Sequence, residues 1–309
     1  MRLAPIVLFT YNRLHHTVET LEALKTNELA EASELLVYSD GPKTLQDQFS
    51  IDQIREYVKT LGGFKSVAVI ERPRNLGLAH SIITGVTEVL NAYGKAIILE
   101  DDLLTSRFFL KFMNEALELY EKEEKVVNIT GYTYPVKYPL PETFLLRDPG
   151  CWGWATWKRG WCVFKEDSRA LLNALSRGDL LRQFNYNNSY PYSKMLEDAV
   201  SGKNESWAIR WYASAFLGNY LTLYPGTSLV HNIGNDRSGM HSGRSNLYDV
   251  KLSAKTIKVT KIPLNENENA RSAFEAYFRS LRRPITQRVL GFITKLKGRY
   301  HRCHVRLAP

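Results

Sequence analysis

Four short apolar runs alternate with helix-like patterns over the first 130 residues, and this alternation strongly constrains the fold. The runs are residues 5–9, 35–38, 67–70 and 96–99, each bounded by polar residues or turns. Runs of this length are typical of buried strands. Between them, apolar residues recur at intervals of three and four, which is typical of amphipathic helices. Strands that alternate with helices predict an α/β fold with a mostly parallel, doubly wound sheet.

The composition changes after about residue 130, where aromatic residues, Gly and Pro dominate. Residues 150–157 contain three tryptophans within six positions, and residues 225–246 form a loop rich in Gly, Ser and Asn. Each of these tryptophans could either fill the core or present its face to a sugar ring. Four aromatic residues in the following region lie at helical spacing, which favours core packing; they are Trp207, Trp211, Tyr212 and Phe216.

The net charge of +9 is concentrated at the C-terminus. From Arg271 onward there are ten Lys or Arg residues and one acid, Glu275. Pro284 is expected to divide the apolar pattern over 273–297 into two short helices. Basic amphipathic helices bind anionic lipid surfaces, and a helix that packs on the body with a solvated basic face is the alternative. Nucleic acid is not an expected partner, because no recognised binding module accompanies the charge.

Composition also limits the class and location of the protein. No apolar stretch reaches the roughly 18–20 residues of a membrane span, and the first apolar run is too short for a signal peptide. The three cysteines, Cys151, Cys162 and Cys303, include no CxxC pair, so neither a disulfide framework nor a zinc site is indicated. We therefore expect a cytoplasmic protein.

The fourth apolar run ends in three consecutive carboxylates, Glu100, Asp101 and Asp102. In open α/β sheets the ligand crevice lies beyond the carboxyl ends of the strands. Adjacent carboxylates repel one another unless a cation lies among them, and hard divalent ions prefer oxygen ligands. The triplet therefore predicts a metal site that holds a phosphorylated substrate. An acidic turn before a helix that begins at Thr105 or Ser106 is the alternative.

The other early strands also end in polar residues, which should meet the triplet at the same edge of the sheet. Residues 10–13 follow the first strand, 39–41 the second and 71–77 the third. They supply the hydroxyl of Thr10, the amide of Asn75 and arginines suited to phosphate. Each alone is typical of ordinary turn chemistry. The first strand is followed by neither GxGxxG nor a P-loop, which argues against dinucleotide and P-loop binding.

The order and spacing of these motifs resemble those of GT-A type glycosyltransferases. The nearest pattern is that of the N-acetylglucosaminyltransferase I family, together with bacterial family-2-like sugar transferases. The matching segments are residues 5–13, 39–41, 75–77, 100–103, 147–148, 150–157, 224–226 and 239–243. The resemblance spans about residues 4–245 and leaves the basic tail uncovered. Glu-Asp-Asp stands where Asp-x-Asp is commoner.

The resemblance implies roles for individual residues on the donor side. Arg13 and Asp40 match positions that contact the nucleotide, and Asp101 matches a position that contacts the sugar nucleotide. Asp102 matches the direct ligand of Mn²⁺ (or Mg²⁺), with Asp101 beside it. His241 lies in a loop that resembles one that orders over the bound donor.

The resemblance also implies a carboxylate that accepts the proton of the acceptor hydroxyl. It should lie between the tryptophan-rich segment and residues 224–226. The family pattern there is Asp-Asp-Trp, whereas this chain has Asn204-Glu205-Ser206-Trp207. Glu205 is therefore the predicted base, and Asp198 is the second candidate.

Together these observations predict a metal-dependent hexosyltransferase. It would move a sugar from a nucleotide-diphosphate sugar, UDP-linked by analogy, to a saccharide or lipid-linked acceptor, with inversion. Residues 1–130 would form the nucleotide-sugar-binding half, 131–250 the acceptor-binding half with a mobile loop, and 251–309 a basic amphipathic segment. The expected setting is surface polysaccharide or lipopolysaccharide assembly on the cytoplasmic face of the plasma membrane.

Two other functions stay open at this point. A sugar nucleotidyltransferase shares the sheet type and the metal, but would need a Gly- and Arg-rich phosphate loop after the first strand, which residues 10–13 do not provide. The second is a non-catalytic, membrane-associated binding protein with a degenerate transferase body.

Overall fold

A computed structural model describes residues 2–236 and 246–281 of the chain. The strands are β1 (Ile6–Thr10), β2 (Glu34–Ser39), β3 (Ser66–Glu71), β4 (Lys95–Glu100), β5 (Leu103–Thr105), β6 (Val126–Thr130), β7 (Thr143–Leu146), β8 (Trp154–Trp157), β9 (Leu221–Pro225) and β10 (Val230–Asn232). The helices are α1 (Leu14–Lys25), α2 (Leu45–Lys59), α3 (Leu78–Tyr93), α4 (Phe109–Leu119), α5 (Lys158–Trp161), α6 (Ser168–Leu175), α7 (Leu180–Phe184), α8 (Tyr192–Val200), α9 (Trp207–Leu217) and α10 (Glu268–Ser280), with a short 3₁₀ helix at Ala30–Ala32.

Eight of the strands form one mixed sheet in the order β3-β2-β1-β4-β8-β6-β9-β7. The four strands from β3 to β4 are parallel, as the alternating pattern predicts. Beyond β4, strand β8 runs antiparallel between β4 and β6, and β7 runs antiparallel to β9. The α/β fold class is therefore confirmed, with antiparallel pairing confined to the second half of the sheet.

The first four strands form where the apolar runs predict them, and both faces of the sheet are covered at β1 and β4, whereas β3 lies at the edge and none of its residues is buried. Every residue of β1 is buried, and in β4 the four residues from 96 to 99 are buried. Helices α1 and α3 bury the stripes expected from their spacing, including Leu21 and Leu24 of α1 and Ile82 and Val86 of α3. This packing fixes the carboxyl ends of β1 and β4 side by side.

The aromatic second half adds three strands, β7, β8 and β9, to the same sheet. Trp154 and Trp157 of β8 are 1% and 4% exposed, so they fill the core. The four aromatic residues of α9 that were assigned to the core are also buried. Trp152 is only half-buried and packs edge-on against Tyr132, with 4.6 Å between ring centroids.

The C-terminal part that the structure describes packs on the body of the protein. Phe274 and Phe278 of α10 are buried, and Phe274 contacts Phe144 and Tyr224 of the sheet. For this helix, packing on the body is therefore the correct interpretation. The predicted second basic helix, beyond Pro284, lies outside the described residues. Over the described ranges, none of the helices combines the length and apolarity that a membrane crossing would need.

Candidate active site

A cavity of about 650 Å³ lies at the carboxyl ends of β1, β2 and β4. One side is lined by the polar strand ends that the sequence singled out, namely Thr10, Asn12, Arg13, Asp40, Asn75 and the triplet 100–102. The other side is lined mainly by aromatic side chains, among them Tyr132, Tyr134, Trp152, Tyr190, Tyr192 and Tyr248. The structure thus joins a charged wall to an aromatic wall.

Arg13 connects two carboxylates of the triplet. Its Nη2 donates to Oδ1 of Asp101 and, over 2.9 Å, to Oδ2 of Asp102. Burial alone would lower the pKa of Arg13, but the two carboxylates outweigh it and the pKa is raised. Arg13 is therefore a permanent cation on the floor of the cavity.

Three buried polar atoms around this ion pair have no hydrogen-bond partner in the described part of the chain. They are Thr10 Oγ1, Arg13 Nη1 and Asp101 Oδ2. Buried polar atoms are almost always hydrogen-bonded, so each unpaired one calls for an explanation. All three residues line the same cavity. A hydroxyl, a cationic donor and a carboxylate oxygen, each buried and without a partner, thus belong to residues that line one cavity.

Burial and mutual repulsion suppress the negative charge of the triplet. Burial, followed by repulsion from Asp102 and Asp101, raises the pKa of Glu100 to about 8. Burial also raises the pKa of Asp101 to about 6, although Arg13 opposes the shift. At neutral pH Glu100 is therefore mostly protonated, whereas Asp101, with the lower pKa, is mostly ionised.

The backbone of the triplet is held from two sides. Thr20 Oγ1 donates to the carbonyl of Asp101 over 2.9 Å and accepts from the amide of Leu103 over 3.1 Å. On the other side, the amide of Ile233 donates to the carbonyl of Asp102 over 2.9 Å. Helix α1 and the segment after β10 therefore fix the orientation of the acidic turn.

Gly234 lies directly against the side chain of Asp102. A Cβ at this position would lie 2.1 Å from Oδ2 of Asp102, which is too close for any real contact. The absence of a side chain at residue 234 is therefore a condition for the observed position of the Asp102 carboxylate.

We expect Gly234→Ala to displace the Asp102 carboxylate and to weaken binding of UDP with Mn²⁺ at least about 10-fold, as disrupted support of metal ligands generally does. Isothermal titration calorimetry measures this directly. Gly62→Ala is the matched control, because a Cβ there would meet nothing within 4 Å. Equal UDP affinity in the two variants would contradict the importance of this contact.

Asp40 organises the neighbouring loop. Its carboxylate accepts hydrogen bonds from the backbone amides of Gly41, Leu76 and Gly77, and Asn75 Nδ2 donates to the carbonyl of Gly41. Both residues line the cavity. The structure therefore shows Asp40 and Asn75 joining the loop after β2 to the loop after β3 at one edge of the cavity.

The residues present fit a divalent ion of the kind that the sequence predicts. Asp101 offers an unpaired carboxylate oxygen, and Asp102 lines the cavity beside it. No cluster of three His, Cys, Asp or Glu residues suited to a metal occurs among the residues described. Mg²⁺ sites in phosphate-binding proteins commonly use one or two carboxylates together with substrate phosphates. The donor set matches that arrangement.

The two carboxylates predicted to act as base lie elsewhere. Glu205 is exposed and is absent from the described lining of the cavity. Asp198 is also absent from it and pairs with Lys194 at 2.9 Å, a hydrogen bond that lowers the pKa of Asp198. A base should face the substrate and have a pKa near the working pH, so the structure does not bring either residue into position. His241 lies outside the described residues.

Asp148 is a carboxylate in the lining of the cavity to which the sequence assigned no role. It follows β7, is 7% exposed, and lines the aromatic side. In the sequence, residues 147–148 are one of the segments that match the resembling family, but the resemblance implies no role for Arg147 or Asp148. Its significance comes from burial and from tyrosines far away in the chain.

No family model matches the chain, and no curated protein matches it. Among solved structures, the chain is similar to the mannosyltransferase PcManGT from Pyrobaculum calidifontis in complex with GDP-Man and Mn²⁺, with 15% identity, 70% of each chain covered and a TM-score of 0.38. It is also similar to S. aureus TarS 1-349, with 13% identity, 74% of this chain and 60% of that chain covered, and a TM-score of 0.41. For TarS 1-349 in complex with UDP, the identity is 15%, the coverage 45% and 38%, and the TM-score 0.32. The chain thus spans less than two thirds of both TarS structures.

Proposed function

We propose that this protein transfers a sugar from a nucleotide-diphosphate sugar to an acceptor hydroxyl. The observation that carries the proposal is the cluster of unpaired buried atoms on Thr10, Arg13 and Asp101 beside the acidic triplet. A diphosphate can accept from Arg13 Nη1, and a sugar or ribose hydroxyl can donate to Asp101 Oδ2. The site therefore offers complementary partners to both parts of such a donor.

Asp102 and Asp101 are the residues that would hold Mn²⁺ or Mg²⁺. When bound, the ion would supply Lewis-acid stabilisation of the charge that develops on the diphosphate leaving group. Arg13 adds a fixed positive charge beside the same carboxylates. Its orientation is set before the donor arrives, which lowers the cost of reorganisation during the reaction.

The aromatic wall supports a saccharide acceptor. Tyr132, Trp152 and Tyr248 form a cluster of edge-on contacts, with centroid distances of 4.6 and 5.6 Å from Trp152 to the two tyrosines. Such side chains combine an apolar face with a polar tip, and a sugar ring likewise combines apolar C–H faces with hydroxyls. Because the charged wall comes from residues before 103 and the aromatic wall from residues after 131, we propose that 1–130 binds the donor and 131–250 the acceptor.

A donor screen tests the proposal. The protein would be incubated with Mn²⁺ and a panel of UDP-, GDP- and CMP-sugars, and free nucleotide and sugar would be measured. We expect turnover of one nucleotide class, UDP by analogy with the resembling family, and thermal stabilisation by the same donor. Omitting Mn²⁺ and adding EDTA should remove the turnover. The anomeric configuration of the first product, read by NMR, would show inversion or retention.

The outcome of the screen separates the alternatives. Release of pyrophosphate from a nucleoside triphosphate and a sugar 1-phosphate would indicate a nucleotidyltransferase instead. Neither turnover nor stabilisation by any donor would contradict the proposal and favour a non-catalytic binding protein. A role in surface polysaccharide or lipopolysaccharide assembly, and attachment of the basic tail to a membrane, stay predictions.

A further inference from the structure

Asp148 is a buried carboxylate with one oxygen occupied and one available. Its Oδ2 accepts a hydrogen bond of 2.8 Å from the hydroxyl of Tyr186, and its backbone carbonyl accepts one of 2.8 Å from Tyr224. Within the described ranges no hydrogen bond reaches Oδ1, and that atom is not sealed off from the cavity. The two tyrosines thus fix the carboxylate while Oδ1 stays free to meet a ligand.

Several elements surround this carboxylate with groups that can titrate or carry charge. Burial raises the pKa of Asp148 to about 6, the hydrogen bond from Tyr186 and the charge of Arg271 lower it, and Glu266 raises it. The remaining groups that face it are the phenols of Tyr134, Tyr192, Tyr212 and Tyr224 and the thiol of Cys151. The pKa values of all five are raised, first by burial, so these groups are neutral near pH 7 and Asp148 is the one that changes charge there.

Cys151 connects Asp148 with the acidic triplet. Burial, then repulsion from Glu100 and Asp148 and a smaller repulsion from Asp102, raises the pKa of its thiol. A single buried group is therefore within electrostatic range of both carboxylate sites. Asp148, Cys151 and the triplet all line the same cavity, so a donor held at the triplet and an acceptor hydroxyl near Asp148 would share one site.

We propose that Asp148 is the general base of the sugar transfer, an inference that rests on the function proposed above. The O–H bond of the acceptor hydroxyl breaks and its proton moves to Oδ1 of Asp148. The acceptor oxygen forms a bond to the anomeric carbon of the donor. The bond from that carbon to the diphosphate oxygen breaks, and the electron pair leaves with the diphosphate. Tyr186 is a positioning residue that holds the carboxylate through Oδ2.

Two variants, Asp148→Asn and Tyr186→Phe, test this inference with the donor that the screen identifies, using water as the acceptor, and Glu275→Gln and Glu205→Gln are compared with them. We expect Asp148→Asn to lower kcat about 10²- to 10⁴-fold, the usual contribution of a general base, with the KM for donor within about 2-fold of wild type. Wild-type kcat should rise with pH with a midpoint near 6, because the base must be deprotonated. The pKa of Asp101 is also raised to about 6, so Asp148→Asn should show a smaller rise than wild type, and the difference belongs to Asp148. Tyr186→Phe removes a hydrogen bond that lowers the pKa of Asp148, so its midpoint should move to higher pH.

Glu275→Gln is the matched control, because it neutralises a buried acid of α10 that does not line the described cavity. Retained UDP binding by Asp148→Asn shows that the variant is folded. If the wild type turns over the donor and the kcat of Asp148→Asn stays within 3-fold of the wild-type value, this inference is overturned but the proposed function is not. A loss of turnover in Glu205→Gln but not in Asp148→Asn would also overturn this inference and would indicate Glu205 as the base. Absence of wild-type turnover with every donor would overturn the proposed function and this inference together.

Discussion

Asp102→Asn is expected to reduce donor turnover at least about 100-fold at a fixed Mn²⁺ concentration, which corresponds to roughly 3 kcal/mol of transition-state stabilisation. Asparagine keeps the size of the side chain and an oxygen that can accept from Arg13. It removes the negative charge that would hold the divalent ion. The effect should therefore fall on metal affinity first, and raising the Mn²⁺ concentration should restore part of the activity.

The measurement is kcat/KM for the identified donor as a function of Mn²⁺ concentration. Asp52→Asn is the matched control, because that residue is exposed on α2 and hydrogen-bonds only to Gln48 of the same helix. It should behave as wild type. Full activity in Asp102→Asn at low Mn²⁺ would mean that the proposed metal ligand is wrong.

The first half of the sheet could be predicted because each of its strands contains an apolar run with polar residues only at its ends, whereas strands in the second half contain buried polar residues in their interior. Asn128 and Thr156 are both fully buried, in β6 and β8. Asn128 Nδ2 donates to the carbonyl of Gly150, and Thr156 Oγ1 donates to the carbonyl of Val127. These partners satisfy the amide nitrogen of Asn128 and the hydroxyl of Thr156, whereas Asn128 Oδ1 has no partner in the described part of the chain. These hydrogen-bond partners are distant in the sequence. The sequence of β6 or β8 alone therefore does not show the apolar pattern that predicts a buried strand.

In the candidate site, too, some residues could be predicted from the sequence and others could not. Residues such as Arg13 and Asp101 could be predicted, because parallel strands bring their carboxyl ends to a common edge. Asp148 could not, since the groups that position it, Tyr186 and Tyr224, lie 38 and 76 residues away. Glu205 was chosen by its place in a resembling pattern, and a pattern contains no information on burial.

Asp148→Asn should also be more stable than the wild type at alkaline pH, by roughly 1–3 kcal/mol in the free energy of unfolding. Burial raises the pKa of this carboxyl from its ordinary value of 3.8 to about 6 in the folded protein. Between these values the native state binds more protons than the unfolded state, so stability falls as pH rises. The contribution is fully present below pH 4 and is lost through pH 6. A shift of about two units corresponds to about 3 kcal/mol.

Urea unfolding at pH 4 and pH 8 measures this effect as a difference between variant and wild type. Glu100 and Asp101 also have raised pKa values, but they are present in both proteins and cancel in the difference. The increase in the free energy of unfolding caused by Asp148→Asn should therefore be largest at pH 8 and shrink towards zero at pH 4. Asp52→Asn should show no such dependence on pH. An Asp148→Asn protein that is less stable than wild type at both pH values would mean that the carboxylate stabilises the fold. A gain in stability joined to a loss of turnover would instead mean that the fold keeps a destabilising charge at residue 148 because the reaction requires it.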